Sequence, residues 1–231
     1  MAVAYVNETT STTLGTGNTQ GTINVPSGAS NGNLLVCAVQ TGSASSAFTL
    51  SGWTTMIASW TDSNDSAGAC FYRIASSEPA SYTVTWTTAA SDLILTMKNF
   101  SGVNTSTPIR SSRIDHAGAT GASYTTTALT GTQSTDMTVQ IAQMGDDNGV
   151  TTYTVTKPGS PWTSIDGFLE TAKYTGSVYA TGSQSGATWT SSSSFAYWNV
   201  TTFAIEAGTT GSNVLVSNEP TYIPTVRSSF F

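Results

Sequence analysis

The sequence predicts an all-β fold: a jelly-roll-like antiparallel β-sandwich of about ten to twelve strands with pseudo-duplicated halves, plus an extended C-terminal arm. Three observations carry that expectation. Apolar residues recur with a period of two and almost never with the helical period. Turn-forming residues punctuate the chain at short intervals. One order of segments is stated twice: an apolar strand, a Trp-Thr turn, an aromatic strand, a Thr-rich Trp strand and a last apolar strand.

In the first half the theme runs through Asn33 to Val39, Gly52-Trp53-Thr54, Cys70 to Ile74, Tyr82 to Trp86 and Leu93 to Met97. In the second it runs through Met137 to Ala142, Pro161-Trp162-Thr163, Ser177 to Ala180, Ala187 to Thr190 and Val200 to Ile205. Tyr82-Thr83-Val84-Thr85-Trp86 alternates strictly, which sets Tyr82, Val84 and Trp86 on one face and the two threonines on the other. Tyr153-Thr154-Val155-Thr156 alternates in the same way. Leu34 to Val39 and Leu93 to Leu95 are continuously apolar, as strands covered on both sides require. Between the strands stand Pro26-Ser27-Gly28, Asn31-Gly32-Asn33, Ser51-Gly52, Glu78-Pro79, Ser101-Gly102, Asn148-Gly149 and Pro158-Gly159-Ser160-Pro161. Each joins a residue of special backbone freedom or restriction to a polar neighbour. One helical turn fits the pattern, Ile74-Ala75-Ser76-Ser77-Glu78, ended by Pro79.

Thr (43) and Ser (33) together make up about a third of the 231 residues, and only 9% are charged. Thr suits a half-exposed pleated surface, so the solvated faces are expected to be hydroxyls and amides instead of ions. The net charge is −6, and the cations Arg73, Lys98, Arg110, Arg113, Lys157, Lys173 and Arg227 form no run. Phosphate neutralisation needs clustered cations, so nucleic acid is not an expected partner. No apolar stretch approaches the about 18 residues of a membrane helix, and the first residues show neither the basic nor the apolar region of a signal peptide. Membrane binding is likewise not expected. Cys37 and Cys70 sit inside apolar strands and read as two buried thiols, with a cross-strand disulfide as the alternative.

The chemistry-bearing residues form no catalytic motif. His116 is the single histidine and is read as a loop residue hydrogen-bonded to its neighbour Asp115. Thr181-Gly182-Ser183-Gln184-Ser185-Gly186 lacks the spacing of a nucleophile elbow. The acidic residues fall mostly in turns or beside proline, as Asp62, Asp65, Asp146, Asp147, Glu78 and Glu219 do, where solvent is their expected partner. Asp62 to Gly68 and Asp146 to Gly149 are oxygen-rich, but neither completes a calcium loop. No metal, cofactor or catalytic residue is therefore assigned, and the expectation is a protein that is not an enzyme.

Three places stand outside the repeated theme. Trp53 and Trp86 have counterparts in Trp162 and Trp189, whereas Trp60 has none, which makes it a candidate surface contact for a partner or a glycan. Arg110 and Arg113 are the nearest approach to a cation pair and are the second candidate contact, with two solvated loop cations as the plainer reading. Beyond a sandwich domain spanning residues 1 to 208, residues 209 to 231 read as a linker and an extended docking arm. Tyr222, Ile223, Val226, Arg227, Phe230 and Phe231 are its candidate partner-docking residues, with docking on the chain's own domain as the alternative, because a burial of about 2–3 kcal/mol per Phe favours a docked over a solvated end.

The first half resembles a known family through particular segments: Gly32-Asn33-Leu34-Leu35-Val36, Ser51-Gly52-Trp53-Thr54, Tyr72-Arg73, Glu78-Pro79 before the Tyr82 to Trp86 strand, and Phe100-Ser101-Gly102-Val103. It is similar to β-sandwich domains found in virion structural proteins of tailed bacteriophages and in some bacterial surface proteins. The family pattern has Asp where Asn33 stands and Pro-x where Leu50-Ser51 stands. The resemblance covers about residues 1 to 208 and implies a virion protein assembled in the host cytoplasm. Within that class it points to a capsid decoration or cement protein, a homotrimer bound to the major capsid protein. A tail or fibre module that binds a host glycan and a bacterial surface adhesin domain are the alternatives.

Overall fold

The computed structural model describes residues 1–42, 47–62, 66–117, 121–145, 154–170 and 173–208. The predicted arm, the Asp146 to Gly149 segment, Tyr153 and part of the Asp62 to Gly68 loop lie outside the described residues. The described chain is all-β. No helix occurs in it, and every strand pairing is antiparallel.

The first half contributes β1 (Ala4–Asn24), β2 (Leu34–Thr41), β3 (Phe48–Leu50), β4 (Thr54–Asp62), β5 (Ser66–Ile74) and β6 (Ser81–Ser101). The second contributes β7 (Ile109–Ala117), β8 (Gly121–Thr125), β9 (Met137–Gly145), β10 (Val155–Thr156), β11 (Thr163–Glu170), β12 (Lys173–Thr181), β13 (Thr188–Phe195) and β14 (Tyr197–Ile205). Among the described residues there are fourteen strands, against the expected ten to twelve. The excess comes from the very short β3 and β10, and from the second half breaking two long strands into β7 with β8 and β13 with β14. In the first half β1 and β6 remain whole and pair from Ala4↔Ser101 to Asn24↔Ser81, with bulges near Leu14 and Asn18 that let them bend.

The duplication is topological. One sheet runs β1-β6-β2-β5-β4 and the other β7-β14-β9-β12-β11, so each strand of one half has a counterpart in the other. The side strands agree as well: β3 and β1 flank the start of β6, and β10 and β8 flank β13. Trp86 and Trp189 occupy corresponding strands, and Trp53 and Trp162 both precede the outermost strand of a sheet.

Strand alternation then builds three cores. Leu34, Val36 and Ala38 on one face of β2 meet Met137, Val139 and Ile141 on one face of β9, joined by Phe100, Phe203 and Ile205, so the two sheets pack through this central layer. Leu35, Cys37 and Val39 face the other way, into a core closed by Ile23, Phe48, Val84 and Trp86. Ala142 and Met144 likewise face away, beneath Trp189, Phe195 and Trp198. β2, β9 and β14 are buried along their whole length, which suits the continuous apolar run of β2, whereas β9 alternates from Met137 to Ile141 and buries its polar residues Thr138 and Gln140 as well.

Two glutamines cross the central layer. Gln40 of β2 donates to the carbonyl of Met144 at 3.2 Å and to the Tyr197 hydroxyl at 3.2 Å, and accepts from Thr175 at 3.1 Å. Gln143 of β9 donates back to the carbonyl of Val39 at 3.0 Å. Both glutamines are buried, and each amide satisfies a group of the opposite half.

Two local expectations change. Ile74 to Glu78 is not helical: Ile74 ends β5, and the amides of Ala75 and Ser77 are taken by the carbonyl of Asn33 and by Asn31 Oδ1. Those acceptors, brought in from the neighbouring turn, displace the i to i+4 bonds a helix would need, and Ser77 adopts φ +54°. Cys37 and Cys70 are buried and unpaired. Register sets Cys37 opposite Phe71 and Cys70 opposite Ala38, and the two thiols belong to different cores on opposite faces of the sheet. A disulfide is geometrically excluded there.

Burial pushes the Cys70 thiol up to about 12, partly offset by its contact with Thr201, and raises Cys37 as well. A thiol raised in the folded state stabilises fully below its unfolded pKa of about 8.5, and that contribution is lost as pH rises toward the folded value. Urea denaturation at increasing pH is therefore expected to show stability falling between about 8.5 and about 12, with a slope near 1.4 kcal/mol per pH unit for each thiol. Cys70→Ala is expected to flatten that slope. Gln40→Ala strands buried groups of the facing sheet and is expected to cost about 1–3 kcal/mol in the same measurement.

Candidate functional site

Placing the sequence candidates on the fold separates them. Trp60 lies in β4, opposite Gly68 of β5, with its ring against the central core. A methyl group on Gly68 would meet Trp60 Cζ2 at 2.5 Å and the carbonyl of Val39 at 2.6 Å, so glycine is what lets the indole lie flat there. Trp60 is half-buried, and its Nε1 is buried without a hydrogen-bond partner among the described residues. Part of its ring serves packing, and the exposed remainder is what a partner would touch.

Arg110 and Arg113 are not loop cations. Both lie in β7, where the fold brings carboxylates to them. Arg110 donates through Nε to Asp136 at 2.8 Å and lies 3.4 Å from Glu206, pinning β7 to the end of β14 and to the segment before β9. Glu206 also accepts from Asn104 and Thr107, and Asp136 from the amide of Gln133. Arg113 pairs with Asp115 at 2.6 Å, and Asp115 accepts from the amide of Thr127. The two arginines therefore join separate networks and form no shared patch.

His116 also lies in β7 instead of a loop, and it does not bond to Asp115. Alternation turns these neighbours to opposite faces. The imidazole Nδ1 contacts Asn199 Oδ1, and Nε2 stands 4.0 Å from Asp62 at the seam where β4 meets β7. Asp62 itself is buried, contrary to its expected solvated turn position. Glu78 departs in the same way. Its side chain is 6% exposed, because Arg73 lies 3.2 Å away and the Tyr82 hydroxyl donates to it.

Glu78 belongs to a cluster that gathers the segments carrying the family resemblance. Arg73 lies over the rings of Trp53 at 5.9 Å and Tyr82 at 5.4 Å, and those rings meet edge to face at 5.1 Å. Burial, with the Glu78 contact, pushes the Tyr82 hydroxyl up to about 12. The Gly-Trp-Thr, Tyr-Arg and Glu-Pro segments are thus one stacked unit closing one end of the first-half sandwich. The second half keeps Trp162 but carries no arginine at the matching place, so the unit is made once.

A polar group that sequence reasoning passed over lies at the opposite seam, between β1 and β11. Lys98 of β6 is fully buried in the central layer. Its ammonium donates to Glu8 of β1 at 2.8 Å and reaches Asp166 of β11, 3.5 Å from each carboxylate oxygen. Ser177 of β12 donates to Asp166 Oδ1. Tyr5 stacks on Tyr179 at 6.2 Å and meets Phe100 edge to face, forming an aromatic wall on that side. Burial raises the Glu8 carboxyl, and Lys98 and Ser177 hold Asp166 below its usual value despite burial. Nearby, burial lowers Lys157, which donates to Ser164 at 2.7 Å. No spacing signal marks this group, because its members come from four strands of both halves.

A pattern runs through all of these contacts. Each carboxylate whose side chain is described faces a cation or the histidine: Glu8 and Asp166 with Lys98, Asp62 with His116, Glu78 with Arg73, Asp92 with Lys173, Asp115 with Arg113, and Asp136 and Glu206 with Arg110. The outermost strands instead expose hydroxyls. Thr22, Thr83 and Thr85 lie on one side, and Ser123, Thr125 and Thr188 on the other, where Thr125 and Thr188 hydrogen-bond at 2.7 Å. Among the described residues, no group of three or more His, Cys, Asp and Glu side chains is placed to hold a metal ion. No family model, no curated protein and no solved structure matches the chain.

Arg73→Ala removes two ring contacts and uncovers the buried Glu78 carboxylate. It is expected to destabilise by about 1–3 kcal/mol in urea denaturation. Arg113→Ala, at a more exposed pair, is expected to cost less than about 1 kcal/mol.

Proposed function

We propose that this chain is a non-enzymatic structural protein of a tailed-phage particle, a capsid decoration or cement protein that assembles as a homotrimer on the head. The observation that carries this reading is the distribution of charge. Ionic groups are turned inward to lock strands together, and the outer faces present threonine and serine. A surface of that kind has little with which to steer a charged substrate and much with which to make many weak, neutral contacts. Such contacts become strong only in a repeating lattice, where each copy engages several neighbours at once.

The doubled fold suits the same role. Packing on both faces of each central sheet leaves a rigid body whose aromatic residues are mostly committed to cores, as Trp86, Trp189 and Trp198 are. The resemblance of the first half to virion sandwich domains supports this setting. The arm is the assembly element in this reading, with Tyr222, Ile223, Val226, Arg227, Phe230 and Phe231 engaging the neighbouring subunit or the major capsid protein.

Gel densitometry of purified particles tests the proposal. A decoration protein is expected in numbers comparable to the capsid lattice, and a few copies confined to the tail tip would contradict it. Deleting residues 213 to 231 is expected to leave circular dichroism and the unfolding midpoint nearly unchanged while abolishing incorporation into particles. Loss of folding in that truncation would instead make the arm part of the core.

A further inference from the structure

The Lys98 group is more than the fold requires, and the duplication shows why. Lys98 pairs with Val36 on β2, and Phe203 pairs with Val139 at the corresponding place on β9. Asp166 and Ser177 pair across β11 and β12, and Ile57 and Cys70 pair at the matching place across β4 and β5. One seam of the central layer therefore holds Lys98, Asp166 and Ser177 where the other holds Phe203, Ile57 and Cys70. The apolar version belongs to the same core and packs without any charge. Since burying ions is costly and an apolar set fills the equivalent site, the ionic set calls for a chemical reason.

Its geometry supplies one. A fully buried primary amine lies at equal distance, 3.5 Å, from both oxygens of a carboxyl group and 2.8 Å from a second carboxyl. Glu8 and Asp166 face the same ammonium, and burial together with the nearby Asp166 charge raises Glu8, so Glu8 is the carboxyl placed to carry a proton. We propose that Lys98 and Asp166 condense to an intramolecular isopeptide bond, Nζ to Cγ, with Glu8 relaying the protons.

The step balances without any co-reactant. Protonated Glu8 passes its proton to Asp166 and takes one from the Lys98 ammonium. The neutral amine attacks Cγ, and the N–C bond forms. A second amine proton moves through Glu8 to the departing hydroxyl, the C–O bond breaks, and water leaves. Ammonium and carboxylate become amide and water, and Glu8 ends as it began. In open water the amine would stay protonated and the amide would be the less favoured side. The fixed approach supplies a high effective concentration, and exclusion of water protects the product. The bond ties β6 of one sheet to β11 of the other, so the halves are joined covalently across the layer that already holds them.

Intact-mass spectrometry of the purified, denatured full-length chain is the test. The expected mass is one water below that of the sequence, and a digest is expected to give a branched peptide joining the segments that contain Lys98 and Asp166. Lys98→Arg and Glu8→Gln are each expected to restore the full mass. Cyclisation at Asp166-Gly167 also loses water, but it yields no branched peptide and survives Lys98→Arg. A wild-type chain at full sequence mass, or a deficit without the branched peptide, overturns the proposal. The wild-type digest decides this even if a variant fails to fold.

Discussion

The structure depends on two sheets meeting through one face each of β2 and β9. These strands are covered on both sides, so their outward faces are free to anchor the two outer cores only because their inward faces are already paired. Apolar packing makes that central layer stable, but an apolar surface alone is indifferent to sliding by one residue pair. Gln40 and Gln143 remove the indifference. Each buried amide nitrogen reaches its carbonyl only when the facing backbone stands at one register, so a shifted packing would leave these buried polar groups unpaired.

The two seams of that layer show how duplication and divergence act together. A pseudo-two-fold arrangement sets β1 beside β11 at one seam and β4 beside β7 at the other. The backbone is reproduced strand for strand, yet Phe203, Ile57 and Cys70 stand at the second seam where Lys98, Asp166 and Ser177 stand at the first. The long strands tell a similar story. β1 and β6 bend through bulges and stay continuous, whereas their counterparts break into β7 with β8 and β13 with β14. Both solutions carry the chain from the central sheet to the outer layer, so the fold constrains the path more tightly than the way it is achieved.

Charge is scarce in this chain and is used sparingly by position. Arg73 spans two rings and a carboxylate, Arg110 joins the start of β7 to the end of β14, and Lys173 meets Asp92 at 2.9 Å between the sheets. Pairing at partly buried sites satisfies these groups and fixes the ends of strands that apolar packing leaves loose. Among the described residues, what remains outside on the outer layers is a largely hydroxyl surface.

The all-β class, the doubled theme and the central strands were legible in the sequence, because alternation, continuous apolar runs and turn residues are local consequences of backbone geometry. Trp86 and Trp189 announced their matching places for the same reason. The site was much less legible. His116 and Asp115 are adjacent in sequence but diverge in space, since neighbouring residues of a strand face opposite ways. Arg110 and Arg113 read as solvated because their carboxylate partners arrive from other segments. Glu8, Lys98 and Asp166 carry no mark at all until β1, β6 and β11 are brought to one seam. Residue type and local period determine which strands form. Only the packing of sheet on sheet decides which distant polar groups share a dry site, because that depends on register and on what covers them.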